Sequence, residues 1–272
     1  MMQNKRLFSP SGLLKTPARY VFDYLVMGEE RYNYDVSENM VFGTCVHDAC
    51  QERICIGRDI KQVIKNAVTD FDFSEANTDL VKRDKYRECL PGAIEQGCAA
   101  LKGLGFEKTE PEKEAKVSIK GVDSMVRGFV DFYDLERNRI VEMKTKAPRK
   151  TKVLKDGTQG WSRGLLPKVP DTNHVMQVSF YAKALECEPI IVYVAEHDVE
   201  VFTKENCDEL KQDFLDECFE ELTQRAKRIE AILSISDNPK DLVKIIDPDW
   251  QHNYQWNIGD EYLKKAKEYW KQ

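Results

Sequence analysis

The chain has no run of eighteen apolar residues, no C-x-x-C pair and no G-x-x-x-x-G-K-[ST] loop. The first absence excludes a membrane-spanning helix, and the last excludes a P-loop nucleotide hydrolase or helicase motor. The opening residues, MMQNKRLFSPSG, lack the apolar segment of a secretory leader, so the expectation is an intracellular, cytoplasmic protein with no membrane partner. There are only four histidines, no internal repeat and no low-complexity tract. Overall basic charge is missing too, since the net charge is −6. That excludes a protein that coats nucleic acid with its whole surface. The eight cysteines (Cys45, Cys50, Cys55, Cys89, Cys98, Cys187, Cys207 and Cys218) include no paired motif, and reduced, mostly buried thiols are expected.

What is present is enough for a soluble globular protein: 272 residues, 42% hydrophobic and 32% charged. A single domain is expected in three stretches. Residues 1–105 read as helical, with helices over 9–26, 38–56, 59–68 and 78–103, the last interrupted at Pro91. Residues 106–205 read as a sheet core, with strands from 115 to 145, then at 190–196 and 199–203. Residues 206–272 read as C-terminal helices over 207–233 and 259–270. This order fits an α/β fold with a central mixed sheet flanked by helices. Trp250, Tyr254, Trp256, Tyr262 and Trp270 read as a packing cap rather than a platform for bases.

The segment 127–144, RGFVDFYDLERNRIVEMK, carries the chemistry. Two alternating apolar runs joined by the turn Glu136-Arg137-Asn138 predict a β-hairpin. Asp131 lies in the first run and Glu142 and Lys144 in the second, so the carboxylates can converge and Lys144 shares a face with Glu142. Two carboxylates and an ammonium on one surface suit a hard cation beside a held water, the equipment for cutting a phosphodiester. Taken alone, the pattern also fits a solvated, charged hairpin.

Four further segments keep it company. They are 8–14 (FSPSGLL) with 17–25 (PARYVFDYL), 43–47 (GTCVH), the extension of the second run to Thr145, and 177–181 (QVSFY). In this order, over roughly residues 8 to 195, the chain resembles the RecB-like branch of the PD-(D/E)XK nuclease superfamily. The matches are an opening helical motif, a G-x-x-x-H motif, the two metal-site motifs and a Q-x-x-x-Y motif. The resemblance implies a restriction-endonuclease-like core, and an Mg²⁺ or Mn²⁺ site of one or two ions on Asp131, Glu142, His47 and the Met143 carbonyl. It also implies a weaker role for Glu114 through water, just ahead of the first strand. A nitrogen ligand among oxygens tilts the preference toward Mn²⁺. Lys144 would orient the attacking water, with Gln177 and Tyr181, one helical turn apart, aligning the site and touching DNA. Some relatives pin an iron–sulfur cluster with one early cysteine and three late ones close together. This chain lacks that trio, so no cluster is expected.

Positive charge gathers just after the motif. Residues 137–168 hold ten basic side chains against two acidic ones, Glu142 and Asp156, whereas 186–222 is acidic. Loop 146–171 reads as long and irregular, hence functional or mobile. Arg149, Lys150, Lys152 and Arg163 are its candidate phosphate contacts, and Trp161 is available to stack on a base as the loop closes over a strand. His174 reads as a surface or phosphate contact. The expected function is a free-standing metal-dependent DNase, an exonuclease on DNA ends or single strands, similar to those used by phages and organelles in recombination, replication or DNA turnover. Its partners would be DNA and a helicase or single-strand-binding protein. A structure-specific endonuclease and a catalytically silent DNA-binding module are the alternatives.

Overall fold

A computed structural model describes residues 7–33, 37–74, 79–107 and 109–271. In chain order the first elements are β1 (Leu7–Phe8), α1 (Pro10–Leu13) and α2 (Pro17–Val21), followed by a π turn (Phe22–Val26) and a 3-10 helix (Gly28–Asn33). Next come α3 (Glu38–Gln51) with a π turn (Glu52–Ile56), α4 (Ile60–Phe73) and α5 (Leu80–Gly103). The strands β2 (Glu110–Ser118), β3 (Met125–Asp134), β4 (Arg139–Thr145), β5 (Arg149–Val153) and β6 (Gln159–Ser162) follow. Then α6 (Thr172–Leu185), β7 (Glu188–Val194) and β8 (Val199–Phe202) complete the central part. The remainder is a 3-10 turn (Asp208–Leu210), α7 (Gln212–Leu233), α8 (Pro239–Leu242), α9 (Asn253–Trp256) and α10 (Asp260–Tyr269). The chain forms two compact units interleaved in sequence.

The larger unit, residues 36–115 and 129–215, holds the sheet. β3 and β4 pair antiparallel, β4 and β7 parallel, and β7 and β8 antiparallel, with β2 also on β3. The sheet is therefore mixed, and the fold is α/β. Its middle strands are apolar on both faces, as a covered sheet requires: Ile140, Val141 and Ile190 to Val194 are all buried. One face, with Val141, Met143, Val192 and Val194, packs on α3 and α5 through Phe42, Val46, Leu90 and Ile94. The other face meets α6, where Tyr193 contacts His174. Each such aliphatic side chain contributes roughly 1.5–3 kcal/mol by leaving water.

The smaller unit comprises the described parts of residues 1–35, 116–128 and 216–272. β1 runs parallel to the start of β3, pairing Leu7 with Met125 and Phe8 with Val126. Asp23 is fully buried between Arg19 Nε at 2.7 Å and Lys15 Nζ at 2.6 Å, so its charge is paired on both oxygens. Phe22, Trp250, Trp256 and Trp270 pack ring on ring at centroid distances of 4.7 to 6.4 Å, as a packing cap would. The side chain of Tyr254 lies outside the described residues.

Several expectations need correction. The helix anticipated over 9–26 begins after Ser9 but is interrupted before Thr16, and each of these two residues caps a helix with proline in its first turn. Pro91 does not interrupt α5, whose neighbours Leu90, Ala93 and Ile94 are fully buried. Core packing there outweighs a helix penalty of about 3 kcal/mol. The strand anticipated from Ala115 begins at Glu110, so Glu114 lies within β2, and the short strand β1 of the same sheet precedes it. Segment 146–171 is not an irregular loop, because it contains the β5–β6 hairpin. Among the described residues no helix is long and apolar enough to cross a membrane.

Candidate active site

The β3–β4 ladder pairs Phe132 with Val141, which leaves Asp131 and Glu142 next along their strands at the end away from the turn. Asp131 is fixed twice: Oδ2 accepts the Met143 amide at 2.7 Å, and Oδ1 lies 3.1 Å from His47 Nε2. Glu142, 3% exposed, accepts from Lys144 Nζ at 2.7 Å through Oε1. Its second oxygen, Oε2, is buried with no hydrogen-bond partner. Lys144 Nζ also donates to Gln177 Oε1 at 3.1 Å, and Gln177 Nε2 donates to the Tyr181 hydroxyl at 3.2 Å. Gln177 and Tyr181 stand one turn apart on α6. So His47 and Asp131 form one hydrogen-bonded pair and Glu142, Lys144, Gln177 and Tyr181 a hydrogen-bonded line beside it, close enough for the Asp131 charge to act on both Glu142 and Lys144.

Helix α3 brings in His47. Ser37 caps it by accepting the Met40 amide, and Gly43 faces the end of β4, where a Cβ would stand 3.0 Å from Thr145 Oγ1. Only glycine gives that approach without displacing the threonine. Gln51, one turn after His47, donates to the Asp131 carbonyl at 3.2 Å and lies 3.5 Å from His47 Nε2. Asp48 Oδ1 is 3.5 Å from His47 Nδ1. Sequence reasoning overlooked Gln51 and Asp48. The i, i+4 spacing of Gln51 from His47 was the available signal.

The electrostatics are those of a crowded, partly dry site. Burial, and then the neighbouring charge of Asp131, push the Glu142 carboxyl up to about 7, against the pull of Lys144 and His47. Burial would lower the Lys144 ammonium, but the carboxylates of Glu142 and Asp131 hold it above its ordinary value. Burial likewise opposes protonation of His47, yet hydrogen bonds to Asp131 and Asp48 raise it to about 10. His47 is thus an imidazolium in this state, with no lone pair to offer. Burial and the charge of Glu142 raise Tyr181, which stays a neutral phenol.

Among the described residues no group of three His, Cys, Asp or Glu side chains is arranged to hold a metal ion. In this state His47 Nε2 and the Met143 amide each contact one oxygen of Asp131. The donor chemistry nonetheless suits a hard divalent cation. Glu142 Oε2 is an orphaned buried acceptor, and a cation beside it would relieve the burial and the Asp131 charge that push the Glu142 carboxyl up. His47 could join only after losing its proton.

The other candidates are placed less centrally. Glu114 is half-buried in β2, the strand on the far side of β3 from β4. Arg149, Lys152 and Arg163 are exposed, and Lys150 pairs with Asp79. Trp161 is half-buried and packs against the apolar core. His174 is not a surface group. Its Nδ1 lies 2.7 Å from the Tyr193 hydroxyl, and burial followed by the Lys144 charge lowers it to about 4. All eight cysteines are free thiols.

No family model and no curated protein matches the chain. Among solved structures, the crystal structure of SSO0001 is similar at a TM-score of 0.36 and 15% identity, over 82% of this chain and 78% of that one. So slight a likeness carries no argument about function.

Proposed function

We propose that the chain is a metal-dependent deoxyribonuclease of the RecB-like PD-(D/E)XK kind, acting as an exonuclease on DNA ends or single strands. The observation that carries the reading is the Lys144 ammonium, held between Glu142 Oε1 at 2.7 Å and Gln177 Oε1 at 3.1 Å beside an orphaned carboxylate oxygen. A structural ion pair has no need of a buried oxygen left bare, whereas a site that receives a cation does. Asp131 and Glu142, with the Met143 carbonyl and a deprotonated His47, would hold Mg²⁺ or Mn²⁺. When bound, the ion supplies Lewis-acid charge toward water and the scissile phosphate.

The remaining work falls to the chain. Lys144 positions the attacking water and offsets charge that builds on the phosphate oxygens. Gln177 fixes the direction of Lys144, and Tyr181 fixes Gln177, so both are positioning residues. The exposed lysines and arginines of 149–163 suit phosphates of the strand being cut.

End-labelled linear DNA, single-stranded and duplex, incubated beside a circular single strand with Mg²⁺ or Mn²⁺ tests the mode of action. Loss of the linear strands with the circle spared is expected. Cutting of the circle would replace the exonuclease with a structure-specific endonuclease. Binding of DNA with no cutting in either metal would leave a silent binding module.

A further inference from the structure

The β5–β6 hairpin has features that the site does not use. Every residue of β5 is exposed. At its tip Val153 and Leu154 are 62% and 55% exposed, flanked in sequence by Lys152 and Lys155. The tip is built rather than slack. The Leu154 amide donates to the Thr158 carbonyl at 2.8 Å, and the Gly157 amide donates back to the Leu154 carbonyl at 3.0 Å. Asp156 accepts from both the amide and the hydroxyl of Thr158.

The base of the hairpin is equally fixed. Trp161 packs on the core, and Lys150 pairs with Asp79. At Gly160 a Cβ would stand 2.5 Å from the Lys152 carbonyl, so the two strands close tightly. At Gly164 a Cβ would overlap the Lys146 carbonyl, which ties the returning chain to the end of the strand that carries Lys144. The hairpin is therefore a braced arm, continuous with the catalytic strand, whose tip presents two aliphatic side chains between lysines.

A hairpin that touched only phosphates would need no aliphatic tip. Flat apolar surface beside regular negative charge is what a nucleic acid offers where its bases unstack. We infer that the hairpin is a strand-parting wedge for duplex DNA. Val153 and Leu154 enter at the duplex end, Lys152 and Lys155 hold its phosphates, and one freed strand passes to the Glu142–Lys144 site. This inference rests on the nuclease reading and narrows its substrate to duplex ends.

The test uses the full chain with Val153→Ser and Leu154→Ser combined, and a melting curve checks its fold. Cleavage of a blunt duplex should fall by about tenfold or more, while cleavage of the same sequence as a single strand stays within about twofold. Equal effects on both substrates, or none on either, would overturn the wedge and leave the tip to a protein partner. A second readout is independent of cleavage: 2-aminopurine placed at the duplex end, with protein added in EDTA. A fluorescence rise with the wild type that the variant loses is expected, and its absence in the wild type would refute the wedge. If the wild type cuts no DNA at all, the nuclease reading fails, and the 2-aminopurine signal alone decides the wedge.

Discussion

Replacing Glu142 by glutamine should stabilise the metal-free protein above neutral pH. Its carboxyl is pushed up from 4.5 to about 7, first by burial and then by Asp131. The folded state therefore holds this proton more tightly than the unfolded state does. The contribution is intact below about pH 4.5 and is lost as the pH rises through about 7. At about 1.4 kcal/mol per tenfold change, the loss is about 3 kcal/mol, which the Glu142→Gln variant would not suffer. Glutamine keeps an acceptor for Lys144 and leaves no buried anion. For a chain of this size the gain corresponds to a rise in melting temperature of about 6–12 °C at pH 8. The assay is thermal unfolding of both proteins in EDTA from pH 4 to 9. The two curves should coincide at the acid end and separate between pH 4.5 and 7, with the variant the more stable. Mn²⁺ should narrow the gap, because only the wild type has the carboxylate to receive it. A variant that is less stable than wild type at pH 8, or a difference that ignores pH, would refute the account of Glu142 as a buried carboxylate only partly compensated by Lys144.

Two further outcomes follow from the same geometry. His47 is held protonated up to about pH 10 by Asp131 and Asp48, so Mn²⁺ binding should expel a proton and tighten as pH rises. Calorimetry at about pH 9, where Glu142 is already ionised, in two buffers of different ionisation enthalpy reads that proton, and His47→Ala should abolish its release. Gly43→Val should destabilise by about 1–3 kcal/mol, since even a single Cβ meets Thr145 Oγ1 at 3.0 Å. Thr145→Ala added to it should restore part of the loss in a denaturant titration.

The elements that alternate or repeat in hydrophobicity were legible. The β3–β4 hairpin, α3 and α6 read directly from period, cap and turn, because burial on a defined face forces those patterns. The Glu142–Lys144–Gln177–Tyr181 line was legible for the same reason: strand and helix periods put each pair on one face. The β5–β6 hairpin was not, because RKTKV is exposed at every position and has no buried face to impose alternation. The core contact of Trp161 and the Tyr193 contact of His174 were not legible, because an aromatic or imidazole in a polar stretch gives no local sign of the distant residues it meets. Pro91 was misread because a local helix penalty says nothing of the packing that overrides it. The protonated state of His47 was also hidden, since of its two carboxylate partners, Asp131 and Asp48, the stronger is Asp131, which lies far from it in sequence.

The most direct test of the central claim compares wild type with Lys144→Ala on labelled linear DNA in Mn²⁺ and in EDTA, with DNA binding measured in parallel. The account expects cleavage by the wild type in Mn²⁺ only, and by the variant in neither, while the two bind DNA with similar affinity. Cleavage by the wild type that survives EDTA, or by the variant at the wild-type rate, would contradict it.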